Sequence, residues 1–131
     1  MKNYIAETIG TFSMIFCGCG AMVINDFTGG IITHPGVAIT WGLIVMSMIY
    51  AFGDISGAHF NPAVTIGFAV AKKFSWNEVP KYIGAQFSGA MLASLVLLFL
   101  FPESDLGATL PTIEPSKVFI IELLLSFFLM V

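Results

Sequence analysis

The stretch GDISGAHFNPAVTIGFAVAKK, from Gly53 to Lys73, decides the fold. Asn61 followed by Pro62 is a helix-start signal: an amide side chain able to accept a backbone N–H, then a ring whose φ already suits the first helical position. Such a polar cap ordinarily sits at a membrane edge or in water. Here it interrupts a chain in which 57% of residues are hydrophobic and 10% charged. Ile55 to Ala71 carries no charge, yet Gly57, Asn61 and Pro62 break its first half. That leaves about 10 helical residues before Lys72 and Lys73, half of the ~20 needed to cross a bilayer. The stretch therefore predicts a re-entrant segment: non-helical backbone from Gly57 to Phe60, then a half-helix over about 61–72.

Composition sets the class. With 131 residues, 13 Phe, only 5 Lys+Arg and a mean hydropathy of +0.94, the chain has too little polar surface for a soluble globule. A net charge of −3 without a basic cluster excludes nucleic-acid binding. No small-residue cleavage pattern closes the first apolar run, so that run is expected to stay in the protein. Cys17 and Cys19 stand two apart, on nearly opposite helix faces, and are read as small packing residues. No metal or cofactor is expected.

The apolar runs give spans at about 4–24, 35–52 and 82–101, and the start of a fourth at 118–131. The last is 14 residues, about 21 Å of helix, short of a core of about 30 Å. Lys2, Lys72, Lys73 and Lys81 fall on one side, and Asp26, Glu103, Asp105, Glu114 and Lys117 on the other, which predicts a cytoplasmic N-terminus. Pro102 to Lys117, rich in proline and acid, is the expected outer linker between two halves. IAETIGTFSMIF (Ile5–Phe16) aligns with IIELLLSFFLMV (Ile120–Val131), pairing Glu7 with Glu122, Thr11 with Ser126 and Phe12 with Phe127. An aligned intramembrane acid suggests an inverted-topology repeat.

SGAHFNPAVTIG, with AETIGTF in the first span, AITWGL in the second and YIGAQFSGA in the third, resembles the first half of a major intrinsic protein, the aquaporin and glyceroporin family. The resemblance covers essentially the whole chain and leans to the nodulin-like intrinsic proteins. It implies an all-α polytopic fold: a right-handed bundle of tilted transmembrane helices with one re-entrant half-helix, the first half of an inverted repeat spanning residues 1–131. It also implies a passive channel for water and small neutral solutes such as glycerol, closed to protons and ions. The protein would be no enzyme, and would work in a plasma or inner membrane as a homotetramer of complete protomers.

A half-helix starting at Pro62 aims about half a positive charge at the bilayer midplane. With its side-chain oxygen held by the helix, Asn61 would present its NH₂ to the lumen as a fixed donor. Half-helix ends that repel cations and protons are a known device of aquaporin-type pores. The Asn61-Pro62-Ala63 triplet is thus the expected pore motif, and an extended Gly57-Ala58-His59 wall would add a ladder of carbonyl acceptors. The His59 ring is read as a structural hydrogen-bonding group, with titration as the alternative. Glu7 and Glu122 are placed inside the bundle, accepting loop N–H groups; a proton relay is the alternative for Glu7. Gln86 faces inward to support a loop.

Trp41 lies about 9 Å into the second span, at the depth of an outward-facing constriction. In the family, tryptophan in this WGL context resembles the glyceroporin filter, and the alternative is an interfacial belt residue. Asp54 departs from the pattern and is read as solvated rather than paired with Lys72 or Lys73. Ala63-Gly67-Ala71 and Ala85-Gly89-Ala93 offer close helix contacts. The chain has no arginine and no second Asn-Pro-Ala-type loop, both of which the family's second half supplies. Residues 1–131 alone are therefore expected to conduct neither water nor glycerol. Two other readings stand beside the channel. One is a non-conducting half-protein or assembly subunit. The other is an intramembrane enzyme using Asp54, His59 or Cys17, for which no pair has a catalytic spacing.

Overall fold

The computed structural model describes residues 1–130; Val131, the end of the fourth predicted run, lies outside the described residues. The described residues form five helices: α1 (Lys2–Phe27), α2 (Thr33–Ser56), α3 (Pro62–Val70), α4 (Val79–Leu100) and α5 (Pro115–Met130). No strand occurs among the described residues. Three helices, α1, α2 and α4, are long and apolar enough to cross a membrane. They start before the apolar stretches from which they are predicted, and α1 and α2 also end beyond them, while α4 stops at Leu100, one residue short. A helix ends where its backbone hydrogen bonds end, and polar residues at its rims cost nothing in water. In the opposite sense α3 stops at Val70, because Lys72 turns left-handed (φ 58°) and the Lys73 N–H bonds back to the Phe68 carbonyl.

The first helix is the centre of the bundle, packed against α2 on one side and α4 on the other, while α3 rests on α4. Glycine makes the α1–α4 contact possible. A Cβ placed on Gly89 would fall 2.3 Å from the Thr8 carbonyl oxygen and 3.0 Å from the Phe12 nitrogen, so the two backbones touch. The Thr8 hydroxyl then bridges the seam by donating to the Ala85 carbonyl (3.1 Å). Dispersion and such cross-helix bonds, rather than the hydrophobic effect, hold helices together in lipid. Gly89→Ala is accordingly expected to force α1 and α4 apart at a cost of about 1–3 kcal/mol. Thermal unfolding in detergent measures it, and a wild-type melting temperature would mean that the seam is loose.

The predicted small-residue contacts of α3 need correction. Ala63 and Ala71 are exposed, and Thr65 and Ala69 are the buried residues of α3. The reason is polar: Thr65 bonds Gln86 of α4, which fixes the face that α3 turns inward. No residue of α5 is buried, and its end touches α3 where Met130 Cε would lie 3.3 Å from a Cβ on Gly67.

Candidate functional site

The segment between α2 and α3 is built on a carboxylate supplied from α1. Glu7 is fully buried and accepts four hydrogen bonds. Ser56 Oγ (2.7 Å) and the His59 N–H (3.0 Å) reach Oε1; the Phe60 N–H (2.7 Å) and Gln86 Nε2 (2.8 Å) reach Oε2. Ser56 Oγ in turn accepts the Ala58 N–H (3.1 Å). Three consecutive amides therefore point to one side.

Extended backbone cannot do this, and the loop is not extended as the sequence suggested. Gly57, Ala58 and Phe60 have φ of 84°, 50° and 49°. Left-handed residues within a short segment turn successive N–H groups into one concavity that receives an anion, here the Glu7 carboxylate. Ala58 and Phe60 carry the strain of that conformation, of order 1–2 kcal/mol for each side chain. The Glu7 bonds hold them there.

The carbonyls show the complementary pattern. The Ser56 carbonyl accepts the Tyr82 hydroxyl (2.8 Å) and the Phe60 carbonyl accepts the Thr11 hydroxyl (3.3 Å). Among the described residues, no hydrogen bond reaches the carbonyls of Gly57, Ala58 and His59 that lie between them. Next along the chain, Asn61 caps α3 with φ −148°, its Oδ1 accepting the Ala63 N–H at 2.8 Å, and Pro62 opens the helix. Asn61 itself is exposed on the open face, and no bond takes up its NH₂ among the described residues.

Thr65 ties α3 to the loop. Its hydroxyl donates to the Asn61 carbonyl (3.0 Å), accepts from Gln86 Nε2 (2.9 Å) and lies 3.1 Å from His59 Nδ1. With the hydroxyl proton directed at Asn61, hydrogen-bond accounting assigns the imidazole proton to Nδ1. The His59 ring is packed by three aromatic rings: Phe68 stacked at 4.8 Å, Phe74 at 4.7 Å and Tyr82 at 5.1 Å. Gln86 must turn its NH₂ toward Glu7, which leaves Gln86 Oε1 buried without a partner.

The remaining predicted residues lie apart from this cluster. The Trp41 indole is half-buried against α1, where a Cβ on Gly18 would fall 2.3 Å from the ring. Glu122, on α5, is exposed and accepts no hydrogen bond among the described residues, where the loop beside Glu7 is the one re-entrant candidate. Asp54 is exposed and forms no ion pair among the described residues. Below the cluster, Glu78 accepts from Lys81 (2.6 Å) and from the Tyr4 hydroxyl (2.6 Å), and these bonds, Lys81's first, hold its carboxyl below the usual carboxylate range. No group of three His, Cys, Asp or Glu able to hold a metal is found among the described residues.

Sequence reading did not single out Ser56, Thr65, Phe74 or Tyr82. Thr65 had a signal: it is the one polar side chain in PAVTIGFAV, four residues after Asn61 and so within reach of its carbonyl. The others depend on contacts between elements far apart in sequence.

A short capped helix, a strained loop folded over a buried carboxylate and three apolar helices long enough to span define an all-helical, multi-pass integral membrane protein. Residues 1–131 match the family described as Major intrinsic protein, and the chain belongs to that family. It is 54% identical over 132 residues to "Putative aquaporin NIP4-1" of Arabidopsis thaliana, covering 98% of this chain and 46% of that relative. To aquaporin NIP1-1 of Oryza sativa subsp. japonica it is 48% identical, covering 99% of this chain and 46% of the relative. The aquaglyceroporin of Plasmodium falciparum superimposes with a TM-score of 0.68 at 34% identity, over 77% of this chain and 42% of that one. The chain spans about half the length of the relatives it matches, and corresponds to the N-terminal half of a protein on the NIP and glyceroporin side of the family.

Proposed function

We propose that these residues form one wall of a passive channel for water and small neutral solutes such as glycerol, closed to protons and ions. The observation that carries this reading is the row of free acceptors at Gly57, Ala58 and His59, ending at a free Asn61 amide donor. Unpaired backbone carbonyls are costly in lipid, at several kcal/mol each, and are tolerated where they line water. Three acceptors followed by one donor give a file of water molecules a handhold and then a forced orientation at Asn61. In this reading α3 is re-entrant, its N-terminus adds positive potential at the same point, and Glu7, Gln86 and Thr65 are the scaffold. Trp41 supplies an apolar wall of the constriction, suited to the carbon backbone of a polyol. The N-terminus is cytoplasmic, and complete protomers assemble as a tetramer in the plasma or inner membrane. Family membership and the lysine distribution support those last assignments.

The test is the ratio of glycerol to water flux in proteoliposomes of the complete protomer. Trp41→Phe is expected to change that ratio, because the indole and the smaller phenyl leave apertures of different width. An unchanged ratio would remove Trp41 from the filter, and a wild-type protomer no more permeable than empty vesicles would remove the channel.

A further inference from the structure

One ring around His59 comes from neither the helices nor the loop. Between Ala71 and Asn77 the chain turns back toward α4 at the end of the bundle, and every residue of that turn is exposed except Phe74, which is half-buried. Its ring meets the His59 imidazole at 4.7 Å and 66°, and the Tyr82 ring at 4.7 Å and 65°. Phe68 and Tyr82 complete the enclosure from α3 and α4. Edge-to-face and stacked arrangements at these separations are the favoured geometries for aromatic pairs.

His59 stands between two left-handed residues, Ala58 and Phe60. Such conformations persist only where surrounding contacts over-determine them. The backbone amides of the loop are fixed by Glu7 and Ser56, but those bonds constrain the N–H side alone. Tyr82 and Thr11 hold the Ser56 and Phe60 carbonyls at its two ends, and between them the anchor is the His59 ring, through Thr65 and the aromatic enclosure.

We infer that Phe74 is a positioning residue: by closing the enclosure it holds the His59 imidazole in one tautomer against Thr65, and with it the setting of the Ala58 and His59 carbonyls. The effect on permeation rests on the channel reading above, whereas the effect on the ring does not. A surface turn thereby acts on an element it does not itself form. The neighbouring Trp76, 56% exposed, belongs to the same turn and pairs with no aromatic ring among the described residues, so it serves as the control.

Two measurements test this. In lipid bilayers, ¹⁵N-histidine NMR of the chain carrying His34→Gln leaves His59 as its single imidazole. The parent and Phe74→Tyr are expected to show one ring species protonated at Nδ1, Phe74→Ala to lose it to a mixture of tautomers, and Trp76→Ala to match the parent. In the complete protomer, Phe74→Ala is expected to lose water flux that Phe74→Tyr retains, at equal insertion. A parent already in mixed tautomers, or Phe74→Ala indistinguishable from it in both spectrum and flux, would overturn the inference, as would an equal loss in Trp76→Ala. A non-conducting wild-type protomer would instead overturn the channel reading, with the spectral comparison still deciding the role of Phe74.

Discussion

Glu7→Gln is expected to release the loop between α2 and α3, although the change is a single atom in size. Four donors converge on Glu7, from Ser56, His59, Phe60 and Gln86, and two of them are backbone N–H groups that cannot act as acceptors. A carboxylate has two acceptor oxygens for them; glutamine has one, and sets two N–H bonds against donors already there. Each hydrogen bond to a charged group is worth about 1.5–3 kcal/mol, so losing two costs about 3–6 kcal/mol. The left-handed strain at Ala58 and Phe60 then relaxes outward. Amide exchange at Ala58, His59 and Phe60 should accelerate and the melting temperature in detergent should fall. Glu122→Gln, at the sequence-paired position on exposed α5, should change neither. Equal behaviour of the two variants would mean that Glu7 does not hold the loop.

Asn61→Asp is expected to leave the fold intact and reverse the ion preference of the proposed pore. The Ala63 N–H is accepted equally well by either side chain, since aspartate caps helices as strongly as asparagine. The carboxylate is even favoured there by about 0.3–1 kcal/mol through the helix dipole. What disappears is the donor pair facing the open side. A helix end of about +0.5 charge becomes a centre of about −0.5, which attracts the cations it formerly repelled. Planar-bilayer recording of the complete protomer should show a cation or proton current absent from wild type. Normal water flux with no current would show that Asn61 and its helix end do not exclude ions.

The short helix was legible because its start is chemical: Asn-Pro in an uncharged run announces a cap wherever it lies. Its buried support was half legible. The pairing of Glu7 with Glu122 marked an acid inside the bundle, but the two fare differently, since Glu7 has a loop beside it and Glu122 lies on an exposed helix. The backbone of Gly57 to Phe60 was read as extended because alanine and phenylalanine do not advertise positive φ. Their conformation is imposed by Glu7, 50 or more residues earlier in the chain. For the same reason the aromatic enclosure of His59 could not be read: Phe68 and Tyr82 look like any aromatic residue of an apolar helix. The face that α3 turns to α4 was misread because small residues suggested one stripe while a single threonine chose another.

Two of the rings packed on α1 rest on glycines. A Cβ on Gly10 would fall 2.0 Å from the Phe60 ring, as one on Gly18 would meet Trp41. The eight-residue step from Gly10 to Gly18 measures about 12 Å of helix at 1.5 Å per residue. The first helix is thus a ruler: it registers the loop that ends at Asn61 and the indole of Trp41 against one rigid scale. A solute passing between the two proposed selection points meets a spacing written in a helix that it need never touch.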